Sequence, residues 1–92
     1  MKEVTLNKFG RTLTDREYGK QVASALVQEN EFPITLDFKG VMSLGSSCGD
    51  EILGAIASKQ DFTIPVVNAN QAVKSCLLKV AEDLKITIKF MN

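Results

Sequence analysis

The chain has 92 residues, which is the size of one small domain. Its hydrophobic fraction of 45% and charged fraction of 24% are those of an ordinary globular protein and exclude a disordered or fibrous chain. Eleven basic residues balance eleven acidic ones, so no global electric field would draw the protein onto nucleic acid or an anionic membrane.

Several residue types are absent or rare, and this removes whole classes of chemistry. The chain has no histidine, which excludes Ser-His-Asp and Cys-His catalysis and the usual zinc sites. It has no tryptophan and one tyrosine, so an aromatic platform for stacking nucleic-acid bases is not expected. Neither a Walker phosphate loop nor a G-x-G-x-x-G pattern occurs. We therefore expect no metal, no nucleotide cofactor and no nucleic-acid partner.

The N-terminus and the cysteines indicate the compartment. Residues 1–9 alternate polar and apolar side chains, unlike the continuous apolar core of a signal peptide. No run of about 18 apolar residues occurs, so no membrane span is expected. Two cysteines in a chain without an export signal favour free thiols in a reducing compartment. We expect a cytoplasmic protein that is not associated with a membrane.

The chain begins with a strand followed by a helix. The strand is predicted over residues 4–6 and could extend to Phe9. The helix is predicted to begin at Thr14, which forms a capping-box signature with Glu17 three residues later. Gly19 inside this helix costs about 1 kcal/mol relative to alanine, so it indicates a close packing contact.

Strands and helices continue to alternate in the rest of the chain. We predict a strand over 33–38, a helix beginning at Ser46 or Ser47, a strand over 62–67, a helix over 70–83 and a strand over 85–90. Pro65 cannot donate a hydrogen bond to a neighbouring strand, so the strand that contains it should be interrupted there or lie partly at an edge. Lysines on the solvent side of the last strand would guard a sheet edge.

The order β-α-β-α-β-α-β predicts an α/β fold. A strand followed by a helix and a second strand forms a parallel pair with a right-handed crossover. We therefore predict one domain over residues 1–92, with a four-stranded, mainly parallel sheet and three helices.

Candidate functional residues lie in the loops that follow the strands, where ligands and partners of open α/β sheets usually bind. These loops are GRTLTDRE over 10–17, KGVMSLGSSCGDE over 39–51 and VNANQ over 67–71, and each leads into the N-terminus of a helix. Both arginines of the chain, Arg11 and Arg16, lie in the first loop. The convergence of these loops, rather than a single motif, is the functional signal.

Ser46 and Ser47 have two interpretations. Serine is a preferred helix N-cap, and Ser47 with Asp50 three residues later resembles a capping box. An exposed serine at a helix start is also a candidate for phosphorylation, because the helix dipole and Arg11 would stabilise the phosphate. Carboxylates of Asp50 and Glu51 in the first turn would complement the dipole but repel a phosphate dianion.

Other residues of these loops suggest further sites. One possibility is a metal site formed by Asp37, Asp50 and Glu51, although their spacing matches no ligand motif. Asp50 and Glu51 are adjacent in the predicted helix and should therefore face different sides of it. Cys48 near a helix N-terminus could be a reactive thiol or could pack as a small apolar residue. Cys76 is expected in the core.

The loop motifs together resemble the STAS domain of sulfate transporters and anti-sigma-factor antagonists. The chain is most similar to the short bacterial STAS-like family of unknown function, and the resemblance covers nearly its whole length. The matching motifs are Thr14, Arg16 and Gly19 at the first helix, LDFKGV at 36–41, and Ser47 followed by Asp50 and Glu51. Two positions depart from the pattern, since Gly45 stands where antagonists have an aspartate and Cys48 where STAS-like chains often have an aromatic residue.

The resemblance implies a non-enzymatic signalling domain that binds a histidine-kinase-like ATPase. In antagonists, that partner phosphorylates a serine at the start of the second helix, and the phosphate breaks the complex. The implied phospho-acceptor candidates are Ser46 and Ser47, and the implied partner-binding residues are Arg11, Arg16, Asp37, Ser47, Asp50 and Glu51. Their binding surface would comprise the loop and helix over residues 41–56.

Two other classes of function remain open from the sequence. One is a small enzyme or ligand-binding protein that uses Cys48, or Asp50 and Glu51, in the crevice at the ends of the strands. The other is a structural subunit whose sheet edge or helix face pairs with a second copy, because composition does not determine an oligomeric state.

Overall fold

The structure is a computed structural model that describes residues 2–92. Its elements in chain order are β1 (Lys2–Thr5), a 3-10 helix (Asn7–Phe9), β2 (Thr12–Leu13), α1 (Arg16–Glu29), β3 (Ile34–Asp37), β4 (Ser43–Leu44), α2 (Ser46–Ala57), β5 (Thr63–Val67), α3 (Gln71–Leu84) and β6 (Thr87–Phe90). Among these residues no helix has the length and apolar character needed to cross a bilayer.

Four parallel strands form the main sheet in the order β1-β3-β5-β6. Each successive strand is added on the same side of the previous one, so right-handed crossovers place all three helices on one face of the sheet. In agreement, α1 packs against α2 and α2 packs against α3. The predicted α/β fold with a four-stranded parallel sheet and three helices is confirmed.

The hydrophobic core lies between this sheet and the single layer of helices. Strand register aligns Val4, Leu36, Val66 and Phe90 in one row across the sheet, and the first three are buried. Burying an aliphatic side chain of this size stabilises the fold by about 1.5–3 kcal/mol. The helices contribute apolar stripes that cover this face, made of Val22, Leu26, Ile52, Leu53, Ile56, Val73, Leu77 and Val80.

The first helix begins later than its capping signature predicts. Asp15, not Thr14, is the N-cap of α1, and its carboxylate accepts a hydrogen bond of 3.0 Å from the backbone N–H of Tyr18. The predicted capping role of Thr14 is therefore wrong. Aspartate is a better N-cap than threonine, so the observed cap agrees with the preference of the residue, and the capping-box pattern was the misleading signal. Thr14 instead packs its backbone against Gly45.

Pro65 interrupts one side of a central strand. On the side of β6, Pro65 pairs with Lys89. On the side of β3, the ladder begins only at Val66. The strand itself continues through Pro65 and lies inside the sheet, so the predicted interruption or edge position is wrong for the strand, and only its ladder with β3 is shortened. The buried side-chain amide of Gln60 occupies the vacant ladder position, because it accepts from the N–H of Ile34 and donates to the carbonyl of Ile34, both at 3.0 Å.

Gly19 permits the close approach of α1 to α2. A Cβ atom at this position would lie 2.9 Å from both the Cα and the carbonyl oxygen of Cys48 and 3.2 Å from its Sγ. Backbone atoms cannot move aside as a flexible side chain can, so the predicted packing role of this glycine is confirmed.

We expect Gly19→Ala to lower the free energy of unfolding by about 1–3 kcal/mol, because overpacking outweighs the gain in helix propensity. Gly54→Ala is the matched control, since a Cβ there would meet only Leu84 Cδ1 at 3.9 Å. The control should raise stability by about 0.5–1 kcal/mol. Urea unfolding of both variants measures the difference, and equal stabilisation by both would contradict the close contact.

Candidate functional site

The first two loops at the carboxyl ends of the strands are joined by backbone hydrogen bonds. The carbonyl of Arg11 accepts from the N–H groups of Met42 and Ser43 at 2.7 and 3.3 Å, and the carbonyl of Leu13 accepts from Gly45 at 2.7 Å. These bonds accompany the parallel pairing of β2 with β4, two short strands that the sequence did not predict. A two-residue strand is too short to show a periodic pattern.

The third loop is attached to the second through asparagine side chains. The Nδ2 group of Asn70 donates to the carbonyls of Val41 and Met42 at 3.3 and 3.1 Å, while its Oδ1 caps α3 by accepting from Val73 at 2.8 Å. The three loops therefore form one connected surface, as the parallel topology predicts.

The start of α2 differs from the prediction in its capping residue. Gly45 is the N-cap and no side chain caps the helix, so the predicted capping role of Ser46 and Ser47 is wrong. A Cβ atom on Gly45 would lie 2.9 Å from the Cα and the carbonyl oxygen of Thr14. The cap position therefore has room for glycine alone. Ser46 and Ser47 become the first two residues of the helix, the former exposed and the latter half-buried.

Arg16 links α1 to two carboxylates of α2. Its Nη1 donates to Asp50 Oδ2 at 3.2 Å and also to Glu51 Oε2. Both acids lie beyond the first turn of α2, so the predicted complementation of the helix dipole is wrong. They were expected to face different sides of the helix, but the long arginine side chain reaches both. The hydrogen bond to Asp50, followed by that to Glu51, raises the pKa of Arg16.

Asp37 and Arg11 contribute to the site in different ways. The Oδ1 of Asp37 accepts from the N–H of Lys39 at 2.9 Å and from Asn68 Nδ2 at 3.0 Å, so this carboxylate holds the loop after β3. Arg11 is exposed, and its side chain forms no ion pair within residues 2–92. Within the same residues no cluster of three or more cysteine, aspartate or glutamate side chains is placed to hold a metal ion.

Cys48 is a buried thiol with a raised pKa. Its side chain is inaccessible to solvent, and burial, followed by the negative charge of Asp15, raises its pKa to about 11. Burial also raises the pKa of the half-buried Cys76. A nucleophilic cysteine needs a lowered pKa and access to its substrate. Cys48 has neither, and it packs as the small apolar residue that one interpretation of the sequence predicted.

Met42 lies within the predicted surface over residues 41–56, but the sequence did not single it out as a binding residue. Its side chain is 55% exposed although its backbone N–H and carbonyl are both hydrogen-bonded, to Arg11 and Asn70. A methionine in an apolar stretch resembles a core residue, so its exposure carries no sequence signal. The segment 67–71 was predicted to be a loop from the sequence. The hydrogen bonds of Asn70 to residues 41 and 42 depend on the tertiary fold and were not predicted.

Comparisons of the chain with models of known protein families, with curated proteins and with solved structures gave no significant match. The contacts of the three loops and the motifs of the sequence are therefore the observations that support a functional proposal.

The raised pKa of Cys48 predicts a loss of stability at alkaline pH. The folded protein keeps the thiol proton up to a pKa of about 11, whereas an unfolded cysteine loses it near pH 8.5. The folded state therefore binds more protons between these values. The stabilisation is complete below about pH 8.5 and is lost as the pH rises towards 11.

Urea unfolding at several pH values between 8 and 11 measures this loss. Lysines and the tyrosine also titrate in this pH range, and they do so in both proteins. The Cys48→Ala variant is therefore the control that isolates the contribution of Cys48. We expect a shallower decline of the unfolding free energy for the variant. Parallel curves for the two proteins would show that Cys48 ionises normally.

Proposed function

We propose that this chain is a bacterial STAS-like regulatory domain that binds a histidine-kinase-like ATPase. Its docking surface comprises residues 41–56 together with Arg11 and Arg16. The observation that carries the proposal is the hydrogen-bonded union of three loops, which holds exposed side chains in fixed positions at one end of the sheet. The sequence resemblance supplies the class of partner.

A fixed loop favours binding because little conformational entropy is lost when a partner docks. Met42 presents an exposed apolar side chain from such a loop, next in space to the backbone of Arg11. Methionine and arginine are enriched at the centres of protein interfaces, where a few residues supply most of the binding energy. Methionine also adapts its shape to a partner surface.

The cluster of Arg16, Asp50 and Glu51 supplies polar contacts beside this loop. One guanidinium faces two carboxylates, so the cluster carries a formal charge of one negative unit. All three side chains remain partly accessible to solvent. Such a group would orient a partner that carries a basic patch and would speed its association, but it would add little affinity.

Ser46 is the stronger phospho-acceptor candidate because it is exposed, whereas Ser47 is half-buried. A phosphate on the first residue of α2 would lie beside unpaired backbone N–H groups and the positive end of the helix dipole. Asp50 and Glu51 lie beyond the first turn and are paired with Arg16, so they oppose such a phosphate less than the sequence suggested. The added charge of nearly two units would disrupt a docked partner.

We expect Met42→Asp to weaken binding of the partner at least tenfold, because it places a charge in the apolar centre of the interface. Leu78→Asp is the matched control, since Leu78 is 54% exposed on α3 and lies outside the docking surface. Isothermal titration against each purified histidine-kinase-like ATPase of the source organism measures both variants. Failure of every ATPase to bind, or equal loss with both variants, would refute the proposed partner or surface.

Phosphorylation is tested separately with the ATPase that binds. After incubation with Mg-ATP, intact mass spectrometry should show one added phosphate on the unmodified protein and on Ser47→Ala. The Ser46→Ala variant should remain unmodified. Modification that persists in Ser46→Ala and disappears in Ser47→Ala would assign the other serine. No added phosphate on any protein would remove the switch but leave the docking proposal standing.

A further inference from the structure

One face of the main sheet is not covered by any helix. Because α1, α2 and α3 share one side, the alternate residues of the strands point to the other. We call this side the open face, and its residues are Glu3, Thr5, Thr35, Asp37, Thr63, Pro65, Val67, Thr87 and Lys89. All-parallel sheets are almost always covered on both faces, so an open face of this kind calls for a covering partner.

The central row of the open face carries opposite charges at its two ends. Strand register aligns Glu3 with Thr35 and Pro65 with Lys89, and the pairing of Leu36 with Val66 sets these two pairs side by side. The inner residues Thr35 and Pro65 are buried, whereas Glu3 and Lys89 are exposed. Neither charged side chain forms an ion pair within the described chain.

We propose that the open face binds a second copy of this chain about a two-fold axis that runs parallel to the strands. This rotation places β1 of one copy opposite β6 of the other. Residues of the same row across the sheet then remain opposite each other. Glu3 then faces the partner subunit's Lys89, and Lys89 faces the partner subunit's Glu3. A two-fold axis perpendicular to the strands would instead set like charges opposite each other, so the charges select the first arrangement.

The area of the face limits the size of this interface. The two longest extents of the molecule are 25 and 24 Å, so each copy can bury at most about 600 Å² through one face. The total is therefore at most about 1,200 Å², which is the lower end for specific interfaces. Methyl groups of the accessible residues Thr5, Thr63, Val67 and Thr87 supply apolar contact, and the ion pairs lie at the rim. We therefore expect a weak dimer that forms at micromolar to millimolar concentrations of the chain.

The dimer is independent of the proposed ATPase binding. The docking surface is formed by loops beyond the ends of the strands and by α2 on the opposite side of the sheet. Loss of one interaction therefore leaves the other measurable.

Charge exchange tests the arrangement. Sedimentation equilibrium from about 5 µM to about 1 mM should show dimers of the unmodified chain, and Glu3→Lys or Lys89→Glu alone should weaken them at least tenfold. The two variants mixed in equal amounts should associate as the unmodified chain does, because each reversed charge meets its opposite. A protein that carries both substitutions should likewise regain the original affinity.

Two controls separate this result from misfolding or general charge effects. Glu3 and Lys89 are exposed, so the urea midpoint of each variant should equal that of the unmodified chain. Lys79→Glu on α3 makes the same charge change on the helical side and should leave dimerisation unchanged. A chain that stays monomeric at 1 mM overturns the proposal. So does a dimer that the single variants do not weaken, or a mixture that fails to recover association.

Discussion

The close approach of α1 and its preceding loop to α2 is the contact on which the candidate site depends. Two glycines permit it, because Gly19 lies against the backbone of Cys48 and Gly45 against the backbone of Thr14. With the two backbones this near, Arg16 at the start of α1 reaches Asp50 and Glu51. The same approach lets Leu13 bind Gly45 and aligns β2 with β4. A side chain at either glycine would separate the elements that form the docking surface.

The packing of Gly45 gives a physical reason for the glycine that precedes the serine pair. Here the backbone of Thr14 occupies the space of a Cβ atom, so no acid can stand there without a shift of α1. Arg16 partly neutralises Asp50 and Glu51, which follow the start of α2. In the proposed phospho-switch, Ser46 thus has a less negative environment than the sequence suggests.

The alternation of strands and helices was predictable because it rests on hydrophobic periodicity, which is local. The packing role of Gly19 was also predicted correctly, since a glycine in a helix breaks a local rule for a specific reason. Pro65 was not, because it shortens one ladder without interrupting its strand. The cap of α1 was predicted wrongly because the capping-box spacing of Thr14 and Glu17 was given more weight than the stronger capping preference of Asp15. The roles of Asp50 and Glu51 were missed because their partner lies 34 and 35 residues earlier in the chain.

The sequence by itself determined the fold class, the order of the elements and the loops in which the candidate residues lie. These follow from the spacing of apolar residues and from the handedness of parallel crossovers, and neither needs knowledge of distant contacts. Only the tertiary structure decided that Ser46 is exposed, that Cys48 is buried with a raised pKa and that Met42 points to solvent. It also decided that one sheet face lacks a helix and carries Glu3 and Lys89 at opposite edges. Exposure, ionisation and the juxtaposition of charges depend on which distant segments pack together, and local patterns do not record this.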